Sequence, residues 1–170
     1  VFVDFTAGFG AAFLGHAHPP IVEAVQTQLG RLVHALGDVN PSDVKVQLLS
    51  ALTELAPSPS RVILELSGAD AVEAALKTAV LATGKAGIVA FHGGYHGLSH
   101  GPLAACGYGE GFLTRFLQQL NPHVSFADYP TAAERVDESL AGVQRAIQTL
   151  RSGPGAGAIL VEPVQGRGGI

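Results

Sequence analysis

Val62-Ile63-Leu64-Glu65-Leu66-Ser67-Gly68-Ala69-Asp70 runs into Val72, Leu76, Ala79, Val80 and Gly84, and then into Gly87-Ile88-Val89-Ala90-Phe91-His92-Gly93-Gly94-Tyr95-His96-Gly97. The two short apolar runs have strand length, and the stripe between them steps at helical spacing up to a glycine suited to a helix C-terminus. The stretch therefore predicts strand, helix, strand. Downstream the same alternation continues. Val124-Ser125-Phe126 predicts a strand, and Thr131-Ala132-Ala133-Glu134 has the form of a capping box. The stripe Val136, Leu140, Val143, Ile147 and Leu150 then predicts an amphipathic helix that Gly153-Pro154-Gly155 ends. Ala158-Ile159-Leu160-Val161 reads as a strand buried on both faces that delivers Glu162-Pro163. Strands alternating with helices predict an α/β fold with a mostly parallel sheet flanked by helices.

Upstream, Asp4-Phe5-Thr6-Ala7-Gly8-Phe9-Gly10 to Gly15-His16-Ala17-His18-Pro19-Pro20 has no sustained period and reads as loop. A helix is expected from Pro20 with Ile21, Val25, Leu29 and Leu32 on one face. Asn40-Pro41-Ser42 reads as a turn and cap before Val44, Leu48, Leu52 and Leu55, and Pro57 stops that stripe. Residues 1–56 thus read as an N-terminal segment of loop and helices, and residues 57–170 as an α/β domain.

The 170 residues carry 10 Lys and Arg against 14 Asp and Glu, a net charge of −4. Charged residues make up 14%, against about 25% in typical soluble domains. So little charge implies that part of the outside is covered by another chain or by further sequence. The negative balance without a Lys/Arg cluster argues against a nucleic-acid partner. No window reaches ~18 uncharged apolar residues, so no membrane-spanning helix is expected. The lone Cys106 fits a reducing compartment, hence an expected cytoplasmic location. The absence of Met suggests a piece of a longer polypeptide or a processed product.

In open α/β sheets ligands bind beyond the carboxyl ends of the strands. Ser67-Gly68-Ala69 opens a helix, where free N–H groups and the macrodipole favour an anion such as phosphate, although Ser67 also suits a plain N-cap facing Asp70. Tyr95 after two glycines offers a flat face to a ring or to packing. Glu162 at a strand end needs a hydrogen-bonding or charged partner. Gly97-Leu98-Ser99-His100-Gly101 fits a serine-hydrolase elbow in letters, but Ser99 lies eight residues past Phe91 and Pro102 interrupts the turn that follows. His16, His18, His92, His96 and His100 make weak zinc grammar, so no metal is expected.

Gly15-His16-Ala17-His18-Pro19, Ser67 to Lys77, Phe91 to Gly97 and Glu162-Pro163-Val164-Gln165-Gly166 stand in one order along the chain. In that order the sequence resembles the class III pyridoxal-phosphate-dependent aminotransferases of fold type I. The resemblance implies pyridoxal 5'-phosphate as cofactor, an amino donor and a 2-oxo acid as substrates, and a homodimer. It implies that Ser67, Gly68 and Ala69 hold the cofactor phosphate, that Tyr95 stacks on its ring with His96 beside it, and that Glu162 lies near it. Gly15, His16, His18 and Pro19 look like framework, and Asp70 stands where most members have Glu. Phe9 would line the substrate pocket. Leu98 and Arg167 depart from 4-aminobutyrate-type members, which carry Arg and Glu there; Leu98 cannot pair a carboxylate, whereas Arg167 can. The family's Schiff-base lysine and the Asp that pairs with the pyridinium nitrogen are expected beyond Ile170, since Lys45, Lys77 and Lys85 match neither position. This stretch alone is therefore expected to be inactive. Aminomutases and racemases of the same fold, or a non-catalytic relative, are the alternatives the resemblance leaves open.

Overall fold

A computed structural model describes residues 1–37, 39–58 and 60–170, apart from the side chains of Glu110 and Phe112. Contacts divide the chain into two compact units, Val1–Val62 and Ile63–Ile170.

In the first unit the opening residues form a series of turns in which Ala7 and Phe9 both take positive φ. Asp4 organises them: its carboxylate accepts from Thr6 N, Thr6 Oγ1 and Gly8 N and meets His16 Nε2 at 2.8 Å. Those hydrogen bonds, from Thr6 first and His16 next, hold the Asp4 carboxyl below the usual carboxylate range. Helix α1 spans Pro19–Arg31 and helix α2 spans Asp43–Leu55, with Ser42 Oγ accepting from Lys45 N as the expected cap. Arg31 in the last turn of α1 reaches Asp43 at 2.9 Å and keeps that carboxyl low. Neither helix has a buried residue, so the apolar stripes at Val25, Leu29 and Leu48 remain open.

The second unit is built on strand β1, Gly87–Phe91, whose five residues are all buried. β1 pairs in parallel with β2, Val124–Ala127, on one side and with β3, Ala156–Ile159, on the other, giving the order β2-β1-β3. Helix α3, Gly68–Thr83, begins with Ser67 Oγ accepting from Asp70 N and ends at Gly84 in the left-handed conformation. Short helices α4, His100–Ala104, and α5, Glu110–Leu113, lie between β1 and β2, and α6, Val136–Leu150, connects β2 to β3. Alternate residues of β1 point to opposite faces. Val89 packs with Ala146 and Leu150 of α6, whereas Ile88 and Ala90 pack with Ala105, Leu76 and Phe126. Helices thus cover both faces, as the alternation of strands and helices predicts.

Three local expectations are corrected. Val62–Leu66 is not a strand, and Ile63 and Leu66 are 67% and 100% exposed. A strand needs a ladder partner, and among the described residues β1 already has both neighbours while none pairs with this run. The last strand begins at Ala156 rather than Ala158 and is an edge strand, with Ile159 52% exposed, rather than one buried on both faces. Thr131–Glu134 forms no capping box: a 3-10 turn at Ala133–Arg135 leads into α6, whose N-cap, Arg135, makes no side-chain cap bond. Ser139 Oγ instead donates to Asp128 O at 2.6 Å, which turns Ser139 inward and leaves Val136 and Leu140 exposed.

Candidate functional site

The carboxyl ends of β1 and β2 open onto the loop His92–Ser99. Gly97 fixes where that loop lies. Its φ is +117°, and a Cβ there would come within 2.6 Å of Ala69 Cβ and 2.9 Å of Ala69 Cα. Only glycine lets the loop close on the first turn of α3, so Gly97 lies against Ala69. The start of α3, with the positive end of its dipole, therefore lies beside Gly97 of the loop that carries Tyr95. Ser67 also donates to Asp70 Oδ2 at 2.7 Å, so the plain N-cap reading describes its present contacts.

Glu162, just past β3, reaches back 67 residues to accept from Tyr95 N at 2.8 Å through Oε2. Such a charge-assisted bond holds the loop at Tyr95. His96 is 9% exposed and its Nε2 has no hydrogen-bond partner. Burial pushes its pKa below the ordinary histidine value, partly offset by the charge of Glu162, so the ring is neutral near pH 7. Gln165, 1% exposed, donates from Nε2 to His92 O at 2.9 Å, while its Oε1 is buried without a partner.

Arg167 places its guanidinium 4.7 Å from the Tyr95 ring centre and 5.2 Å from that of Tyr108, and the two rings meet edge to face. Of the residues singled out above, the second unit joins Tyr95 to Glu162 and Arg167, sets His96 beside Glu162, and brings Ala69 against Gly97 of the same loop, while Ser67 bonds Asp70. Leu98 follows Gly97 on the loop and is 48% exposed, and Phe9 belongs to the first unit, where it is 88% exposed. Tyr108 and Gln165 are the additions that sequence reading did not assign to the site. Gln165 stands in the Glu162–Gly166 motif quoted above, whereas the local signal at Tyr108 is a glycine on either side.

The rival centres gain nothing from this geometry. Ser99 is the N-cap residue of the five-residue α4, and its Oγ is buried without a hydrogen-bond partner, so no base activates it. Among the described residues no group of three His, Cys, Asp or Glu side chains is arranged to hold a metal ion. A separate apolar groove of about 510 Å³ lies at the amino end of β1, lined by Leu76, Val80, Lys77, Lys85 and Ile88. The two lysines of this unit therefore sit away from the strand ends, and Lys77 pairs with Glu73 at 3.5 Å.

The donor set suits pyridoxal phosphate: a helix start for a dianion, an aromatic face for a flat ring, and two buried polar atoms, His96 Nε2 and Gln165 Oε1, that lack partners. Comparison with known proteins agrees. The family model for class III aminotransferases matches residues 1–170, and the chain belongs to that family. A 5-aminovalerate aminotransferase of Pseudomonas aeruginosa is 33% identical over 99% of this chain and 40% of its own length. An alanine/serine racemase of Pyrococcus horikoshii is 36% identical over 76% of this chain and 27% of its own. Among solved structures, a taurine:2-oxoglutarate aminotransferase of Bifidobacterium kashiwanohense, in complex with PLP and glutamate, superposes with a TM-score of 0.80 at 26% identity, covering 96% of this chain and 39% of that one. The chain thus spans about 40% of the length of the relatives it matches over nearly its whole extent. No described helix is long and apolar enough to cross a membrane.

Proposed function

We propose that this chain is the N-terminal part of a pyridoxal-phosphate-dependent aminotransferase, with residues 1–56 an N-terminal segment and 57–170 the first part of the cofactor-binding domain. The donor's amino group would pass to a 2-oxo acid, leaving the donor as an oxo compound and the acceptor as an amino acid. The observation that carries this reading is the closure of the Tyr95–Gly97 loop on the first turn of α3. Ser67, Gly68 and Ala69 would bind the phosphate through helix N–H groups and the serine hydroxyl. Tyr95 would stack on the ring, His96 would support it as a neutral imidazole, and Glu162 would hold the Tyr95 backbone in place. Phe9, Leu98 and Arg167 would shape the substrate side. Pyridoxal phosphate, when bound, withdraws electrons from the substrate carbon that carries the amino group. The lysine that moves the proton and the acid that pairs with the ring nitrogen would follow Ile170. The open apolar stripes and low charge support a homodimer, and the buried free thiol of Cys106 suits the cytoplasm.

The test is an absorbance spectrum of the full-length protein with pyridoxal phosphate before and after borohydride reduction, followed by peptide mapping. A reducible band near the visible edge that maps to a lysine beyond Ile170 is expected. Phosphate binding at Ser67–Ala69 without such a band would refute an aminotransferase and favour a non-catalytic relative. The racemase relative supports a second reading, racemisation on the same fold. That reading predicts loss of amino-acid chirality without a requirement for 2-oxo acid.

A further inference from the structure

Helix α4 has five residues, far short of the length of about 12 at which a helix begins to hold itself in water. Its own sequence also fails to cap it. Ser99, the N-cap residue, makes no side-chain cap bond, and Pro102 in the first turn has no N–H to offer. Gly101 N finds its acceptor on another helix instead: Glu73 of α3 accepts from it through Oε2 at 2.9 Å. A Cβ at Gly101 would overlap that carboxylate oxygen, so the approach needs glycine. Ala69 and Glu73, four residues apart on one face of α3, thus meet Gly97 and Gly101, also four residues apart.

The cargo of α4 gives this bond its reach. Leu103 and Ala104 of α4 are buried, and with Cys106 and Leu120 they form the cluster against which Tyr95 packs. Glu162 fixes the Tyr95 backbone, whereas the packing of its side chain depends on where α4 starts. Glu73 Oε1 also meets Lys77 Nζ at 3.5 Å, but the lysine side chain is 72% exposed, and such pairs contribute little. The role of Glu73 therefore lies in accepting from Gly101 rather than in the ion pair.

We propose that Glu73 is a positioning residue for Tyr95, and through it for the cofactor ring: it supplies the cap that α4 lacks and so sets the packing on which Tyr95 rests. What stacks on Tyr95 rests on the aminotransferase reading. The hold of Glu73 on Tyr95 through α4 does not.

Amide hydrogen exchange of the full-length protein, resolved to single residues, reads that hold without cofactor. Glu73→Asp, whose carboxylate stops one carbon short, leaves a part-buried donor unpaired and should speed exchange at Leu103 and at Tyr95 by about tenfold. Ala90 in β1 should exchange as before. Glu73→Gln keeps an acceptor oxygen and should stay within about threefold of the wild type, as should Lys77→Met, which removes the ion pair alone. Gly101→Ala raises intrinsic helix propensity yet pushes the carboxylate away, so it should reproduce Glu73→Asp. A change confined to residue 101, equal acceleration at Ala90, or slower exchange in Gly101→Ala overturns the proposal.

With pyridoxal phosphate bound, circular dichroism in the cofactor band reads how firmly its ring is oriented. The signal per bound cofactor should fall in Glu73→Asp and Gly101→Ala and persist in Glu73→Gln and Lys77→Met. A wild-type signal in Glu73→Asp would overturn the positioning of the ring even where exchange is faster. A wild type that shows no cofactor band refutes the aminotransferase reading, and the exchange pattern still decides whether Glu73 holds Tyr95.

Discussion

Gly97→Ala tests the joint on which the candidate site is built. The substitution meets two separate costs. At φ +117° an alanine sits in a region that side chains rarely adopt, at about 1–3 kcal/mol. Its Cβ also lies 2.6 Å from Ala69 Cβ and 2.9 Å from Ala69 Cα, and relieving such overlap by shifting backbone costs about 1–3 kcal/mol more. The sum, about 2–6 kcal/mol, is a large part of a typical domain stability of about 5–15 kcal/mol. Urea denaturation of the full-length protein followed by far-UV circular dichroism reads it directly. The second variant, Ala69→Gly, separates the costs. Combined with Gly97→Ala it removes the methyl obstacle but leaves both the close approach to the residue 69 backbone and the φ strain, so about 1 kcal/mol should return as coupling between the two sites. Gly166→Ala, where an added Cβ meets nothing within 4 Å, serves as control and should change stability by less than about 0.5 kcal/mol. If Gly97→Ala matches that control, or if the double variant recovers nothing, the loop does not close on α3 as described.

Other outcomes follow from the same structure. Ser67→Ala removes the acceptor for Asp70 N and should cost about 1 kcal/mol in denaturation, with weaker pyridoxal phosphate binding in a fluorescence titration if the proposed function holds. Leu150→Ala empties the cluster of Val89, Ala146 and Leu150 and should cost about 2–5 kcal/mol; a smaller loss would mean that α6 is not seated on β1. His96 has a folded pKa lowered by burial. Below its ordinary value, near pH 6.5, the unfolded chain binds the proton more readily than the folded one. Stability should therefore fall as pH drops through 6.5 towards the folded pKa, and His96→Asn should flatten that segment of a stability-against-pH curve. A wild-type curve already flat there would show that His96 is not held neutral.

Local chemistry accounts for what could be read from the sequence. β1 and α3 are legible because five apolar residues at 87–91 and a Ser67-to-Gly84 frame settle their own conformations. Val62–Leu66 misleads because strand formation depends on a partner that composition does not encode. The box at Thr131–Glu134 fails for a related reason: the Ser139–Asp128 bond, a tertiary contact, sets how the chain enters α6. Tyr95, Glu162 and Ser67 can be picked out by their places at strand ends and a helix start. Tyr108 cannot, since its meaning comes from Arg167; Gln165 is visible in its motif, but its bond to His92, 73 residues away, is not.

The bond from Tyr95 N to Glu162 spans 67 residues, and the one from Gln165 to His92 spans 73. Chains are made from the N-terminus, and closing so long a loop has an entropic cost that its contacts must first offset. During synthesis the aromatic loop therefore waits for a segment made much later. Helix α3 and its cap can form early, whereas the loop that faces them acquires its two anchors only after β3 has taken its place beside β1.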